Sequence, residues 1–255
     1  MNRTFPIASI RRRLMVGGGL VATAVFGASA QADTTTETDV ASRVLNGQPM
    51  PEPPPEKSAG PVRPGRGSAL NGKIAVVTGA ARGIGRAIAV EFAANGADVV
   101  ALDIAGPVSP ASNAVPATMQ DLAETERQMQ AYGHRTQTVR ADIRDIQALR
   151  TVADQVERDF GKIDIVVADA AIQRWKPLLE MEDNDWRDVI DNNLNGTANT
   201  IRAFAPKMVA HRSGRIIVLS SMQGKHGTKD ASSYSASKVG HSRPDEVRCH
   251  GAGSV

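Results

Sequence analysis

The amino-acid sequence predicts an α/β fold, a doubly wound parallel sheet. Two observations carry that expectation. From Lys73 onward, short apolar runs dense in β-branched residues alternate with longer stretches of helical period. A glycine-rich turn, "TGAARGIG", follows the first run directly and leads into the first helical stretch.

Taken in order, the strand candidates are "KIAVVTG", "ADVVALD", "TQTVRAD", "IDIVVAD" and "GRIIVLSS". Between them lie "IGRAIAVEFAANG", a stretch around "DLAETERQMQAYG", "IQALRTVADQVERDFG" and one long helical segment from Asp183 to about His211. Strand and helix in strict alternation imply parallel neighbours joined by right-handed crossovers. Sheets of this kind bind ligands beyond the carboxyl ends of their strands.

Residues 1–32 read as an export signal. "SIRRRLMVGGGLVATAVFGASAQA" has a cationic start, a glycine-containing apolar run and small residues at Ala28, Ala30 and Ala32 that suit cleavage. The paired arginines before Leu14 and Met15 resemble a twin-arginine signal, which predicts a periplasmic or secreted protein; a cytoplasmic protein with a basic extension is the alternative. The apolar run is too short for a stable membrane span. Residues 33–69, with "PMPEPPPEKSAGPVRPGRGS", are too proline-rich and too poor in apolar side chains to fold, and read as a tether. The net charge of +3 includes Arg3, Arg11, Arg12 and Arg13 of the leader, which has no acidic residue, so the remainder is close to neutral and gives no sign of a nucleic-acid partner. Cys249 is the only cysteine, which excludes an internal disulfide and a thiolate zinc cluster; no metal site is expected.

Several residues invite chemistry. Gly79, Gly83 and Gly85 permit a tight turn and close approach of phosphate oxygens to the backbone, while the helix that follows offers unpaired N–H donors. Asp103, ending the second strand, can accept both ribose hydroxyls of an adenosine and would repel a 2′-phosphate, which favours NAD over NADP. Arg82, inside the glycine turn, pulls mildly the other way. Asp142 ends the third strand, where it can touch an adenine amino group or cap the helix that starts near Ile146. Tyr234 and Lys238 are four apart and share one helix face. A phenol is a poor base at neutral pH, and lowering its pKa by about three units requires roughly 4 kcal/mol, within reach of a partly desolvated cation beside it together with the positive charge of an oxidised nicotinamide.

Together these motifs resemble the short-chain dehydrogenases/reductases, classical type, over about Gly72 to Gly240. "TGAARGIG" is similar to the family's cofactor turn, and "NNLNG" to its asparagine segment. "SS", ending thirteen residues before Tyr234, matches its serine, and "YSASK" its Tyr/Lys pair. The resemblance implies a Rossmann-like domain over 70–240 that transfers a hydride between NAD(P) and a small-molecule alcohol or carbonyl. Tyr234 would exchange the hydroxyl proton, Lys238 would hold the nicotinamide ribose and acidify Tyr234, and Ser221 would hydrogen-bond the substrate oxygen. Asn193 would anchor a water relaying protons through Lys238. The implied cofactor-binding set is Gly79, Arg82, Gly83, Ile84, Gly85, Asp103, Asp142, Ile143 and Ala170, completed by Tyr234 and Lys238.

Three features depart from that pattern. Where the family carries Asn-Ala-Gly after its fourth strand, this chain has Asp169, Ala170 and Ala171, and a carboxyl at the sheet centre must protonate, find a cation or weaken the packing. "GPVSPASNAVPAT" after Asp103 is longer than the usual connection and is expected to fold over the adenosine end and slow cofactor exchange, as insertions do in a nicotinoprotein-like branch of the family. In "IQRWKPLLEM", Trp175 is expected to pack on the sheet rather than on substrate.

Residues 241–255 have no apolar period. Back-translated with permitted codons and read one base later, they give "TRGLMKSAAMELGP", an amphipathic string that resembles the family's continuation of the Tyr/Lys helix. A gained base near Gly240 would produce such a tail. The expectation is a sheet lacking its last strands, one edge facing water, and the loss of contacts through which full-length relatives form homo-oligomers. A non-catalytic NAD-binding fragment is the alternative to an enzyme.

Overall fold

The computed structural model describes residues 67–241. The export signal, most of the tether and all of the tail after His241 lie outside the described residues. Five strands form one parallel sheet: β1 (Ile74–Thr78), β2 (Asp98–Asp103), β3 (Thr136–Arg140), β4 (Ile165–Ala168) and β5 (Arg215–Val218), in the order β3-β2-β1-β4-β5. All five expected runs are strands. The order steps outward from β1 in one direction and then in the other, so a crevice opens at the carboxyl ends of β1 and β4.

Helices cover both faces. One core packs Val76, Val100 and Val166 against Leu149 and Val156 of α3 (Ile146–Phe160) and against Phe204 and Met208 of α5 (Gly196–Ala210). The other packs Val77, Val99 and Val167 against Ala89 and Ala93 of α1 (Gly83–Ala94) and against Leu122 and Met129 of α2 (Met119–Gln130). Neighbouring residues of β1, Val76 and Val77, thus serve opposite cores, which is why β1 is apolar throughout instead of alternating. Edge strand β5 is only partly covered, and Ile217 is 43% exposed. Leu70 packs on the second core and its N–H donates to the Asn95 carbonyl.

Local chemistry sets the helix ends. Thr118 and Asp121 form a reciprocal capping box at the start of α2. Asp145 caps α3 by accepting from the Gln147 and Ala148 N–H groups, and Gly161, at φ +89°, closes it in the left-handed region. Asp142 is therefore not the cap of α3; its carboxylate is turned to Arg144 three residues too early to reach the first turn. The expected single helix from Asp183 to His211 is broken: α4 (Asp183–Ile190) passes through a π-helical turn at Asp191–Asn195 before α5 begins. Gly196 follows the turn because a Cβ there would lie 2.6 Å from Ile143 Cδ1. The last helix, α6 (Ser232–Gly240), carries Tyr234 and Lys238.

Candidate active site

The glycine turn is built for contact with something outside the chain. α1 starts after Arg82 with no cap from the Arg82 side chain and no acidic residue of its own in the first turn, so its amino end keeps a partial positive charge, with the Gly85 N–H turned to the Asp169 carboxyl. Gly79, at φ +71°, lies so close to β4's continuation that a Cβ would sit 2.8 Å from Ala170 Cα. Behind the turn, Thr125 Oγ1 donates to the Ala80 carbonyl at 2.8 Å and accepts from Arg86 Nε at 2.9 Å, and Arg86 also donates to the Ala81 carbonyl. Neither Thr125 nor Arg86 was expected from the sequence, since both read there as ordinary helix positions.

A groove opens over this turn at the carboxyl ends of the strands. Gly79, Arg82, Gly83, Asp103, Asp142, Ile143 and Ala170 of the implied cofactor set line it, together with Asp169, Ala171 and Ile172. Gly85 is buried beneath it, and Ile84 projects outward at 66% exposure without lining it. Asp103 is held rigidly: Oδ2 accepts the Ala81 N–H at 3.0 Å and Oδ1 the Ala105 N–H at 2.8 Å. Burial works to raise the Asp142 carboxyl, but hydrogen bonds and charge from the Arg144 guanidinium more than offset it and hold it below the usual carboxylate range. Arg144 in turn donates to the Val108 carbonyl at 3.0 Å.

That last contact belongs to the loop after β2, whose residues Ile104, Val108, Ser109, Ser112 and Val115 form the outer wall of the groove. The loop is fastened at several points. Ser109 Oγ bonds Asp188 of α4, Asn113 N–H donates to the Gln173 carbonyl at 3.0 Å, and Asn113 Oδ1 accepts the Trp175 N–H at 2.6 Å. Trp175 itself is 42% exposed, so its indole does not pack in the core as expected; its backbone is what the loop uses. Proline and small residues mark a loop in sequence, but nothing in "GPVSPASNAVPAT" identifies Asn113 as its fastening point.

Beside the groove, α6 is tied to its neighbours through backbone and small side chains. Asn193, fully buried in the π-helical turn, accepts the Ile172 N–H and donates to both the Ile172 carbonyl and Ser237 Oγ. Ser237 Oγ donates to the Tyr234 carbonyl at 2.7 Å, and Ser220 Oγ to the Lys238 carbonyl at 3.1 Å. Ser221 follows directly and caps a short turn by accepting the Gln223 N–H at 3.2 Å. These bonds tie the backbone of α6 to Asn193 and to Ser220, the neighbour of Ser221, while none of Asn193, Ser221, Tyr234 and Lys238 lines the groove itself. The Lys238 ammonium lies 5.6 Å from the Tyr234 ring centroid and donates to the Leu219 carbonyl at 2.7 Å. Burial pushes Lys238 down to about 8, against the pull of the Asp169 charge. The main-chain carbonyl of Asn193 is engaged by His241 Nε2 at 2.9 Å, an imidazole that burial and the Lys238 charge hold below its ordinary pKa. His241 has no counterpart among the expected site residues.

Residues 73–243 match the family model for short chain dehydrogenases, and the chain belongs to that family. A relative from Mycobacterium tuberculosis, described as an uncharacterized NAD-dependent oxidoreductase, is 48% identical over 68% of this chain and 63% of its own length. The (-)-trans-carveol dehydrogenase of Rhodococcus erythropolis is 36% identical over 67% of this chain and 62% of its own. Among solved structures, carveol dehydrogenase from Mycobacterium avium in complex with NAD superposes with a TM-score of 0.66 at 37% identity, covering 69% of this chain and 63% of that one. The chain thus spans about 63% of the length of these relatives.

Proposed function

We propose that this chain binds NAD in the groove and interconverts an alcohol and a carbonyl by hydride transfer, with Tyr234 as the acid/base. The observation that supports it most is the join between two halves of the site: Asn193 clamps the groove segment at Ile172 with both Oδ1 and Nδ2, and its Nδ2 also holds the Tyr234/Lys238 helix through Ser237. The groove suits the cofactor, with the uncapped start of α1 for a pyrophosphate and rigid Asp103 for an adenosine ribose, a residue that disfavours NADP.

When bound, NAD supplies the hydride acceptor. Tyr234 takes the hydroxyl proton of the alcohol as the C–H bond electrons leave with the hydride, and returns it in the reverse direction. Ser221 Oγ donates to the substrate oxygen and stabilises its developing negative charge. Lys238 holds the nicotinamide ribose and places a cation over the Tyr234 ring. The fastened loop after β2 covers the adenosine end and slows exchange of the cofactor, which predicts that NAD is retained through desalting and is released faster by Asn113→Ala.

A second reading, an NAD-binding chain without turnover, is favoured by the engagement of Lys238 with Leu219 and of the Asn193 carbonyl with His241. Steady-state hydride transfer with a panel of alcohols, set against NAD binding by calorimetry, separates the two. Binding with turnover abolished by Tyr234→Phe supports the enzyme, binding without turnover supports the second reading, and absence of both refutes each.

A further inference from the structure

Asp169 stands at the end of β4 where its backbone is fixed: its N–H and that of Ala170 donate to Thr78 Oγ1 at 3.1 and 3.3 Å. The side chain is thereby aimed at the glycine turn. Asp169 lines the groove, and a Cβ on Gly85 would lie 2.9 Å from its Oδ2, so the carboxyl rests against the first turn of α1. The Gly85 N–H favours its ionised form. An internal carboxylate thus addresses the same helix end that offers its N–H groups to an outside anion.

We infer that Asp169 sets a proton-linked limit on dinucleotide affinity: ionised, it competes with a pyrophosphate for the amino end of α1 and repels it, and protonated, it admits it. The inference rests on the NAD reading above and adds a determinant within the same groove. Other charges facing Asp169 fix the sign. From β2, Asp103 adds negative charge; from α6, Lys238 opposes it; Arg82 of the turn lines the same groove; Asp142 is neutralised by its pair with Arg144. Beyond Lys238, His241 is held toward its neutral form and supplies no fixed cation. Burial is the largest influence on Asp169 and pushes it up to about 6, so the carboxyl changes charge within an accessible pH range. Affinity therefore rises as pH falls through that value.

The experiment is calorimetric titration of the full chain with NAD and with ADP-ribose between pH 5 and pH 8. ADP-ribose carries the pyrophosphate, has no nicotinamide cation for the carboxylate to attract, and does not itself titrate in this range. Wild-type Kd for ADP-ribose falls roughly fivefold or more from pH 7 to pH 5, as loss of one like charge at short range implies, with a smaller change for NAD. Asp169→Asn binds ADP-ribose at pH 7 as tightly as wild type does at pH 5, with a flat profile below pH 7, short of the range in which Lys238 loses its charge. A wild-type Kd that does not change between pH 5 and pH 7, or a variant that binds more weakly than wild type at pH 7, overturns the inference while leaving the NAD reading intact. Failure of both proteins to bind either ligand at any pH overturns the NAD reading and this inference with it. Because the wild-type profile between pH 5 and pH 7 reads the effect below the range in which Lys238 titrates, a variant that folds poorly does not remove the test.

Discussion

Gly79, Gly83 and Gly85 are identical in chemistry but not in what a methyl group would meet, so three alanine substitutions separate strain from crowding. At Gly83, φ is +59° and nothing lies within 4 Å of the place a Cβ would occupy, so only the left-handed backbone penalty applies, about 1–2 kcal/mol. At Gly85 no such penalty arises, but a Cβ would overlap the Gly79 carbonyl oxygen and lie 2.7 Å from its carbon. Forcing rigid backbone apart costs about 1–3 kcal/mol, partly offset by up to about 1 kcal/mol from alanine's better helix propensity. At Gly79 both effects act, since φ is +71° and a Cβ would sit 2.8 Å from Ala170 Cα, giving about 2–5 kcal/mol. Urea unfolding should therefore rank Gly79→Ala as the most destabilised. Calorimetry with NAD should show the affinity loss for Gly85→Ala exceeding its stability loss, because the turn must move away from α1. A Gly79→Ala protein as stable as wild type, or a Gly85→Ala protein that binds NAD normally, would refute the close approach of turn, helix and β4 on which the groove depends.

Three further outcomes follow from contacts around the groove. Thr125→Val leaves the Ala80 carbonyl and Arg86 Nε without their shared partner and should destabilise by about 1–3 kcal/mol in urea unfolding, with weaker NAD binding. Asp103→Ala removes the acceptor for the Ala81 and Ala105 N–H groups and the charge facing a 2′-phosphate; the ratio of NADP to NAD affinity should rise in competition binding. Asp169→Asn has a stability signature independent of ligand. A carboxyl raised from 3.8 to about 6 makes the folded state bind its proton more tightly than the unfolded chain does, so wild-type stability is greatest below 3.8 and declines as pH rises to 6. The amide has no such decline, so the variant's advantage should grow by up to about 3 kcal/mol across that window, as urea unfolding at pH 4 and pH 7 would show.

The sheet was legible in the sequence because its strands are buried on both faces. Val76 and Val77, Val99 and Val100, and Val166 and Val167 each supply both cores, so continuous β-branched runs had to appear. The break between α4 and α5 was not legible, because Asp191–Asn195 keeps helical backbone angles at its flanks and differs only in hydrogen-bond span, which residue identity hardly influences. Asp142 and Asp145 illustrate the limits of local chemistry. Either aspartate suits a helix cap, and a three-residue offset decides between them; Arg144, placed to grip Asp142 and the Val108 carbonyl together, settles the choice through a contact with a loop more than thirty positions away.

The same distinction governs the site. Spacing identifies Tyr234 and Lys238 as partners because a helix places residues four apart on one face, and that relation needs no tertiary information. Where the lysine's charge is directed depends on what the rest of the fold brings up to it: the Leu219 carbonyl from the end of β5, Asp169 from the end of β4, and His241 from the helix's own last turn. Two of those three are contributed by backbone position or by a residue type with no motif of its own. A lysine whose ammonium is shared among a carbonyl, a carboxyl and a phenol ring has an affinity for each that depends on the charge state of Asp169. Proton uptake there removes the one anion among those partners, so the direction in which the Lys238 charge is drawn is expected to change as Asp169 titrates.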